Sequence, residues 1–119
     1  PPGDFAYYNE RLGATVYADT SCGKRFDDAS LIVLSNHLTM GFGDVDVQTE
    51  TTLTLGGRDG LERVSTASLD GVPVGLASTV IKKGPCVFDL MLIATPAEFE
   101  QSLRDYRDFR DGFDAEYDR

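Results

Sequence analysis

The sequence predicts one α+β domain, residues 1–119, with helices packed on an antiparallel sheet of about six strands in the order ββαββββα. A length of 119 residues with 41% hydrophobic side chains suits a single modest core. Stretches of alternating polar and apolar residues, separated by short glycine-containing turns, are typical of strands. Two other segments carry the apolar spacing of helices, and together these patterns indicate the α+β class.

The first half of the chain is predicted to form a hairpin followed by a helix. Residues 5–11 (FAYYNER) and 14–21 (ATVYADTS) have the composition of strands, with Gly13 at the turn between them. In residues 27–42 (DDASLIVLSNHLTMGF) the spacing becomes helical, and the glycines flanking position 42 end the helix. Three polar residues are candidates to cap its start: Asp27, Asp28 and Ser30. Its apolar stripe consists of Leu31, Leu34, Leu38 and Phe42.

The second half is predicted to contain four further strands. They span residues 45–55, 61–69, 72–83 and 86–94. The turns between them are GGRDG at 56–60, Asp70-Gly71, which suits a tight hairpin, and Gly84-Pro85. The last strand, CVFDLMLIA, is apolar on both faces, and a strand of this kind is usually central and covered on both sides.

A closing helix is predicted after the last strand. Thr95 is placed as its N-cap, Pro96 takes the first helical position, and Glu98 can complete a capping box. Apolar residues then recur at helical spacing and should lie on the sheet: Phe99, Leu103, Tyr106, Phe109 and Phe113. The charges between them indicate a solvated outer face. We expect the ends of the chain, residues 1–4 and 115–119, to be flexible.

The charge balance excludes some classes of partner. The chain has 20 acidic and 11 basic residues, which gives a formal charge of −9. This argues against nucleic acid, because phosphate binding needs clustered lysine and arginine. The pair Lys82-Lys83 is too small a basic patch to hold an anionic membrane surface. No apolar run reaches the roughly eighteen residues that a membrane span requires.

Two polar residues are candidates for chemistry. His37 is the one histidine and lies beside the apolar helix stripe, whereas Asp89 is a carboxylate in an otherwise apolar strand. Catalysis would need a defined nucleophile or a second acid, and a metal would need carboxylates beside the imidazole; the sequence singles out none of these. A buried carboxylate must be paired or hydrogen-bonded, with Arg58, Arg63, His37 or the backbone amides of the nearby turns as possible partners. The sequence therefore predicts that His37, Asp89 and Arg58 are structural, with no catalytic residue, metal or cofactor.

Several segments together resemble a family of small, uncharacterised bacterial envelope lipoproteins. They are GATVYADTSC, LIVLSNHLTMGF, GGRDGLERVSTASLDGVPVGL, KKGPCVFDLMLIATPAEFE and FRDGF, and the match covers about residues 5–113. The residues that fit the family pattern are Cys22, Asn36-His37-Leu38, Leu69-Asp70-Gly71-Val72-Pro73, Cys86 and Asp89. Gly60-Leu61 and Phe88 depart from it, and Phe88 lacks the hydroxyl that the family has there. The predicted element order is also similar to the PsbP-like fold, a sheet between helices.

The resemblance implies export, a lipid anchor upstream of Pro1, and a periplasmic or outer-membrane-associated location. Export favours oxidised cysteines, so we expect a Cys22–Cys86 disulfide. A bridge closing a loop of about 65 residues stabilises by roughly 4 kcal/mol in the chain-entropy model. Two unrelated buried thiols are the alternative.

Three functions follow from these observations. The first is a non-enzymatic accessory subunit of an envelope assembly that docks on a partner protein through a sheet edge or the first hairpin. Four aromatic residues are interface candidates: Phe5, Tyr7, Tyr8 and Tyr17. The second is a carrier of a small apolar or lipid ligand held between the sheet and a helix. The third is a hydrolase-like enzyme that uses His37 and Asp89.

Overall fold

A computed structural model describes residues 5–9, 13–23 and 29–117, with side chains described for 13–23 and 29–112. Its helices are α1 (Leu31–Leu38) and α2 (Phe99–Tyr117). Its strands are β1 (Phe5–Asn9), β2 (Ala14–Cys22), β3 (Gly43–Leu55), β4 (Arg58–Leu69), β5 (Val72–Lys83) and β6 (Cys86–Ala94). The predicted α+β class is confirmed. Of the ends predicted to be flexible, 115–117 belong to α2, and 1–4 and 118–119 lie outside the described residues.

The strands form one antiparallel sheet in the order β1-β2-β6-β5-β4-β3. Four of the five pairings join strands that follow one another directly or across a short turn. The exception is β2 with β6, which brings the first hairpin beside the last strand and pairs Ala14 with Ala94 and Cys22 with Cys86. As a result β1 and β3 are the two edges of the sheet, and β6 and β5 lie at its centre.

The two helices cover opposite faces of the sheet. On one face α1 packs Leu34 against Val80 and Val87. On the other face the α2 residue Tyr106 packs among alternate residues of the same central strands, including Ala77 and Leu90. Because successive residues of a strand point to opposite faces, β5 and β6 contribute to both clusters. The prediction that the doubly apolar last strand is central and covered on both sides is confirmed.

Both helices begin or end differently from the prediction. Ser30 caps α1, and its Oγ accepts a hydrogen bond from the Val33 N–H at 3.1 Å. The other two predicted caps lie outside the described residues. The helix ends at Leu38 rather than at position 42, because the chain turns through Thr39 towards two glycines. α2 begins at Phe99, since residues 95–98 form a turn in which the Glu98 N–H donates to the Thr95 carbonyl.

Two tight hairpins connect β3, β4 and β5. Gly56 and Gly57 both have positive φ angles, 58° and 80°, which suits a two-residue type I′ turn. The predicted five-residue turn at 56–60 is therefore wrong in length, and Arg58 already belongs to β4. Asp70 and Gly71 also have positive φ angles, 51° and 81°, and form the predicted tight hairpin. Within the described residues, neither helix is long and apolar enough to cross a membrane.

Candidate interaction surface at the edge strand

The strand β3 forms a long, exposed edge of the sheet. Among the described strands only β4 pairs with β3, which leaves one side of a 13-residue strand open. Its first ten residues are all exposed. The pairing is interrupted between Gly43 and Asp46 and again between Val47 and Thr49, but it is regular from Thr49 to Leu55. An open edge presents unpaired N–H and C=O groups to which another strand can bind.

Exposed apolar side chains gather at the end of the sheet where β3 begins. Register brings the ends of these strands together, because Gly43 pairs with Ser68 on β4 and Leu69 pairs with Val72 on β5, and it directs Val47 and Leu69 to the sheet face that α1 covers. They are Met40, Val45, Val47, Leu69 and Val72, with Met40 77% and Val72 60% exposed. A group of exposed apolar residues rimmed by polar ones is typical of an interaction site.

The same end of the sheet carries formal charge of one sign. We call it the β3 corner and define it as residues 38–50, 64–75 and 94–100. Its charged residues are Asp44, Asp46, Glu50, Asp70, Glu98 and Glu100, and no lysine or arginine occurs in these ranges. Basic residues at the opposite end of the sheet include Arg58, where β4 begins, and Lys83, where β5 ends. The β3 corner is therefore acidic and partly apolar.

A groove of about 290 Å³ opens within the β3 corner, between β4 and the start of α2. Its walls include Gln48, Val64, Thr66, Pro73, Pro96 and Phe99. Phe99 packs against Gly75, where an added Cβ would lie 2.5 Å from Cδ1 of the ring. Only glycine at position 75 allows so close an approach, so this contact places the phenylalanine at the side of the groove.

Arg63 ties the edge strand to α1. Its Nε donates to Glu50 Oε2 on β3 at 2.7 Å, and its Nη1 donates to Asn36 Oδ1 on α1 at 2.6 Å. Asn36, part of the sequence motif Asn36-His37-Leu38, thus helps to hold α1 in place on β4. Glu50 is the one acid of the β3 corner with a recorded ion pair, which leaves the Asp44 and Asp46 carboxylates with contacts to neutral side chains, Ser68 and Gln48 respectively.

The structure does not bring His37 and Asp89 together. His37 is exposed in the last turn of α1, which packs over β4 and β5. Asp89 is half-buried on β6, and no hydrogen bond joins the two side chains in the described part of the chain. The described side chains, those of residues 13–23 and 29–112, also contain no group of three or more metal-ligating residues. The imidazole and this carboxylate therefore form no joint site.

Asp89 instead faces another carboxylate. Asp19 on β2 is its register partner, so the two side chains leave the same face of the sheet directly opposite each other. Burial, and secondly the negative charge of Asp19, raises the pKa of Asp89 from 3.8 to about 6. Arg58, one of several possible partners named from the sequence, lies on the other face of the sheet, since it is three residues from Leu61, which shares the face of Asp89 through Val80. The register therefore gives no support to Arg58 among those possible partners of Asp89.

The raised pKa makes stability depend on pH. The folded state binds the Asp89 proton more tightly than the unfolded chain does. Below about pH 4 the carboxyl is protonated in both states and does not lower the free energy of unfolding, whereas above about pH 6 it is ionised in both states and lowers that free energy by its full amount. Replacing it by Asp89→Asn should therefore increase the free energy of unfolding by about 1–2 kcal/mol more at pH 7 than at pH 4, allowing for partial solvation. Urea denaturation of both proteins at the two pH values measures this difference.

Two further results test the same assignment. A carboxyl NMR titration should give Asp89 a pKa near 6, and Asp19→Asn should lower that pKa only in part, because burial is the larger cause. An Asp89→Asn effect of equal size at both pH values would contradict the assignment.

The remaining predicted site residues have mixed outcomes. Cys22 and Cys86 form the expected disulfide across β2 and β6, with Cα atoms 4.0 Å apart. Arg58 is buried where β4 begins, in keeping with a structural role. Of the aromatic interface candidates, Tyr17 is 37% exposed on β2. The side chains of the other three, Phe5, Tyr7 and Tyr8, lie outside the described residues, and their β1 backbone forms the opposite edge of the sheet.

The sequence analysis missed a buried polar network under α2. Glu62 is 3% exposed and accepts hydrogen bonds from Thr79, Arg107 and Arg110. Thr79 also shares a hydrogen bond of 2.7 Å with the Tyr106 hydroxyl. Burial raises the pKa of this hydroxyl, so it stays protonated at physiological pH. The missed signal was an acid at an inward position of β4 together with arginines spaced three residues apart on the helix.

Comparisons with solved structures show proteins of similar fold. PA94 of Pseudomonas aeruginosa, a protein of unknown function described as a candidate regulator, matches with a TM-score of 0.69 at 14% identity, over 82% of this chain and 69% of that one. LpqN, involved in cell envelope biogenesis of Mycobacterium tuberculosis, matches with a TM-score of 0.57 at 19% identity, over 88% of this chain and 65% of that one. The chain thus spans about two thirds of each.

No family model matches the chain, and no curated protein matches it in sequence. At identities of 14% and 19% the two structures establish a shared fold and nothing beyond it. The lipoprotein family and the PsbP-like relationship therefore stay predictions, and an envelope protein is among the proteins with this fold.

Proposed function

We propose that this domain is a non-enzymatic accessory subunit of a cell-envelope assembly and that it docks on a partner protein by pairing a strand with β3. The observation that carries the proposal is the open edge of β3, 13 residues long and exposed at one border of the sheet. The hydrolase-like enzyme considered above would need a convergent set of catalytic groups.

The segment Thr49–Leu55 is the part of β3 suited to strand pairing. It is rich in threonine, lacks proline and glycine, and pairs regularly with β4 along its whole length. Glu50 is its one charged residue and is neutralised by Arg63. The two bulges and the acids Asp44 and Asp46 lie N-terminal to it. Such features restrain indiscriminate edge pairing, so the exposed edge can bind a selected partner without aggregating.

Three observations support placing this docking role in the cell envelope. LpqN, whose fold is similar, is involved in envelope biogenesis. The Cys22–Cys86 disulfide suits an oxidising compartment outside the cytosol. The sequence segments that resemble envelope lipoproteins lie along nearly the whole chain. Together they favour an exported protein held at the membrane by a lipid anchor upstream of Pro1, and an assembly partner there.

Site-specific photo-crosslinking tests the docking edge. A photoreactive residue in place of the exposed Thr51, within the regular part of β3, should cross-link a protein in the native host. The same residue in place of the exposed Arg104 on α2 serves as the control and should give none. Absence of a cross-linked product from the Thr51 variant as well as from the Arg104 variant would contradict docking through β3.

A matched pair of substitutions makes the test quantitative. Val47→Ser removes an exposed apolar side chain at the edge, and Ile32→Ser removes one from the outer surface of α1. The first should lower the Thr51 cross-linking yield about fivefold, the loss expected for one interfacial valine, and the second should leave it unchanged. Thermal unfolding of both variants shows whether the fold is intact. Equal yields from the two variants would argue against the β3 edge.

A carrier of a small apolar ligand is the second candidate. The groove of about 290 Å³ beside Phe99 favours it, since its walls are mainly apolar. Titration with a fluorescent fatty acid tests this function. Saturable binding that Thr66→Trp abolishes by filling the groove would support it, and absence of binding would end it.

A further inference from the structure

We infer that the partner segment which docks on β3 carries lysine or arginine residues and one large apolar side chain, and that this side chain enters the groove of the β3 corner. The inference rests on the proposed docking along β3 and adds the chemistry of what docks there. It follows from the position of the groove, its size, and the charge around it.

The groove continues the docking edge. Gln48 lines the groove and directly precedes the regular segment Thr49–Leu55. A strand paired with that segment extends past Gln48 at about 3.4 Å per residue, so its next residues reach the groove mouth. The remaining walls come from β4, β5 and the approach to α2, all fixed parts of the fold. The groove is therefore a preformed continuation of the open edge.

The size and walls of the groove select an apolar side chain. At about 290 Å³ it lies at the lower limit of pockets that enclose a drug-sized molecule, about 300 Å³. One leucine, phenylalanine or methionine side chain suits such a volume better than a complete ligand. Pro73, Pro96 and Phe99 offer apolar surface to it. Anchors of this kind contribute most of the binding energy of many interfaces.

The charge around the groove selects basic neighbours for that anchor. The β3 corner holds six acids and no lysine or arginine, and among the acids only Glu50 has a recorded ion pair. A segment with lysine or arginine beside its apolar residue would meet Asp44 and Asp46 at the start of β3. Opposite charges there favour encounter and reject acidic segments. The same acids oppose an anionic phospholipid surface.

The experiment measures how Thr51 cross-linking in the native host depends on these features. Asp44→Asn with Asp46→Asn removes two charges from the β3 corner, and Asp105→Asn with Asp108→Asn removes two exposed charges from α2 as the control. Thr66→Trp fills the groove at an exposed position, and Thr66→Ser leaves it open. Mass spectrometry identifies the cross-linked peptide of the partner.

The charge variant of the β3 corner should lower the yield about three- to tenfold, and more at low salt than at high salt. The α2 control should have no effect. Thr66→Trp should lower the yield at least as much, and Thr66→Ser should not. The captured peptide should contain lysine or arginine next to a large apolar residue.

Other outcomes overturn the inference, and they separate it from the proposed function. Thr51 cross-links that persist unchanged in both test variants would refute the basic, anchored partner while the docking edge stands. Absence of any Thr51 cross-link would refute both. A cross-link to phospholipid, or to the Lys82-Lys83 end of a second copy of this chain, would also refute the inferred partner.

Discussion

Removal of the Cys22–Cys86 disulfide should lower the free energy of unfolding by roughly 4 kcal/mol, the value of the chain-entropy model for a loop of this length. The two cysteines are 64 residues apart in sequence, and the bridge joins β2 to β6 at the end of their pairing. This is the one strand pairing of the sheet between elements distant in the chain. Without the bridge, the unfolded chain gains the freedom of a large open loop, and β2 has to find β6 unaided.

Guanidinium chloride denaturation of the Cys22→Ser/Cys86→Ser protein against the oxidised wild type measures this effect. Wild type unfolded in the presence of a reductant serves as a second measure, because it lacks the bridge but keeps both side chains. The two unbridged proteins should agree. A midpoint equal to that of the oxidised protein would show that the bridge adds no stability.

Glu62→Ala should lower the free energy of unfolding by about 3 kcal/mol, because breaking a buried ion pair leaves its partner charges without compensation. Glu62 is 3% exposed and accepts hydrogen bonds from three side chains, of which Arg110 is itself mostly buried. Its removal also leaves Thr79 with only the Tyr106 hydroxyl. The lost contacts join α2 to the sheet, so we expect α2 to separate from the sheet more readily during unfolding.

Glu50→Ala is the matched control for this substitution. Glu50 is also a strand glutamate with an arginine partner, but its side chain is 43% exposed. Its removal should lower the free energy of unfolding by no more than about 1 kcal/mol. Urea denaturation of the two variants gives the comparison. Equal losses from Glu50 and Glu62 would mean that burial does not set the strength of these pairs.

The proposed docking site combines several features, each of which alone is weak evidence for a binding site. An open edge strand occurs in most sheets, and an acidic surface is common in a chain with a charge of −9. Here the edge, the acidic residues and the groove meet within the β3 corner. The sequence analysis left a sheet edge and the first hairpin as alternative docking elements and named the aromatics of that hairpin as interface candidates. The structure favours the other edge because β3 is longer and continues into the groove.

Local pattern accounts for the elements that the sequence predicted correctly. Alternation marks β4 and β5, a doubly apolar run marks β6, and Asp70-Gly71 marks a hairpin, because each depends on residues close in the chain. The predicted ends of strands and turns were less accurate where the backbone dihedral angles determine where a turn closes. The first hairpin after β3 needs only Gly56 and Gly57, whose positive φ angles complete the turn.

The sequence by itself determined the α+β class, the central place of the last strand and the one possible disulfide, since these follow from periodicity, composition and cysteine count. Only the tertiary structure decided which groups surround the buried carboxylates. It paired Asp89 with Asp19 and placed Glu62 beneath α2, because the β2–β6 register and the docking of the helix join residues far apart in the chain. Contacts of that kind depend on packing of the whole sheet, which no local pattern encodes.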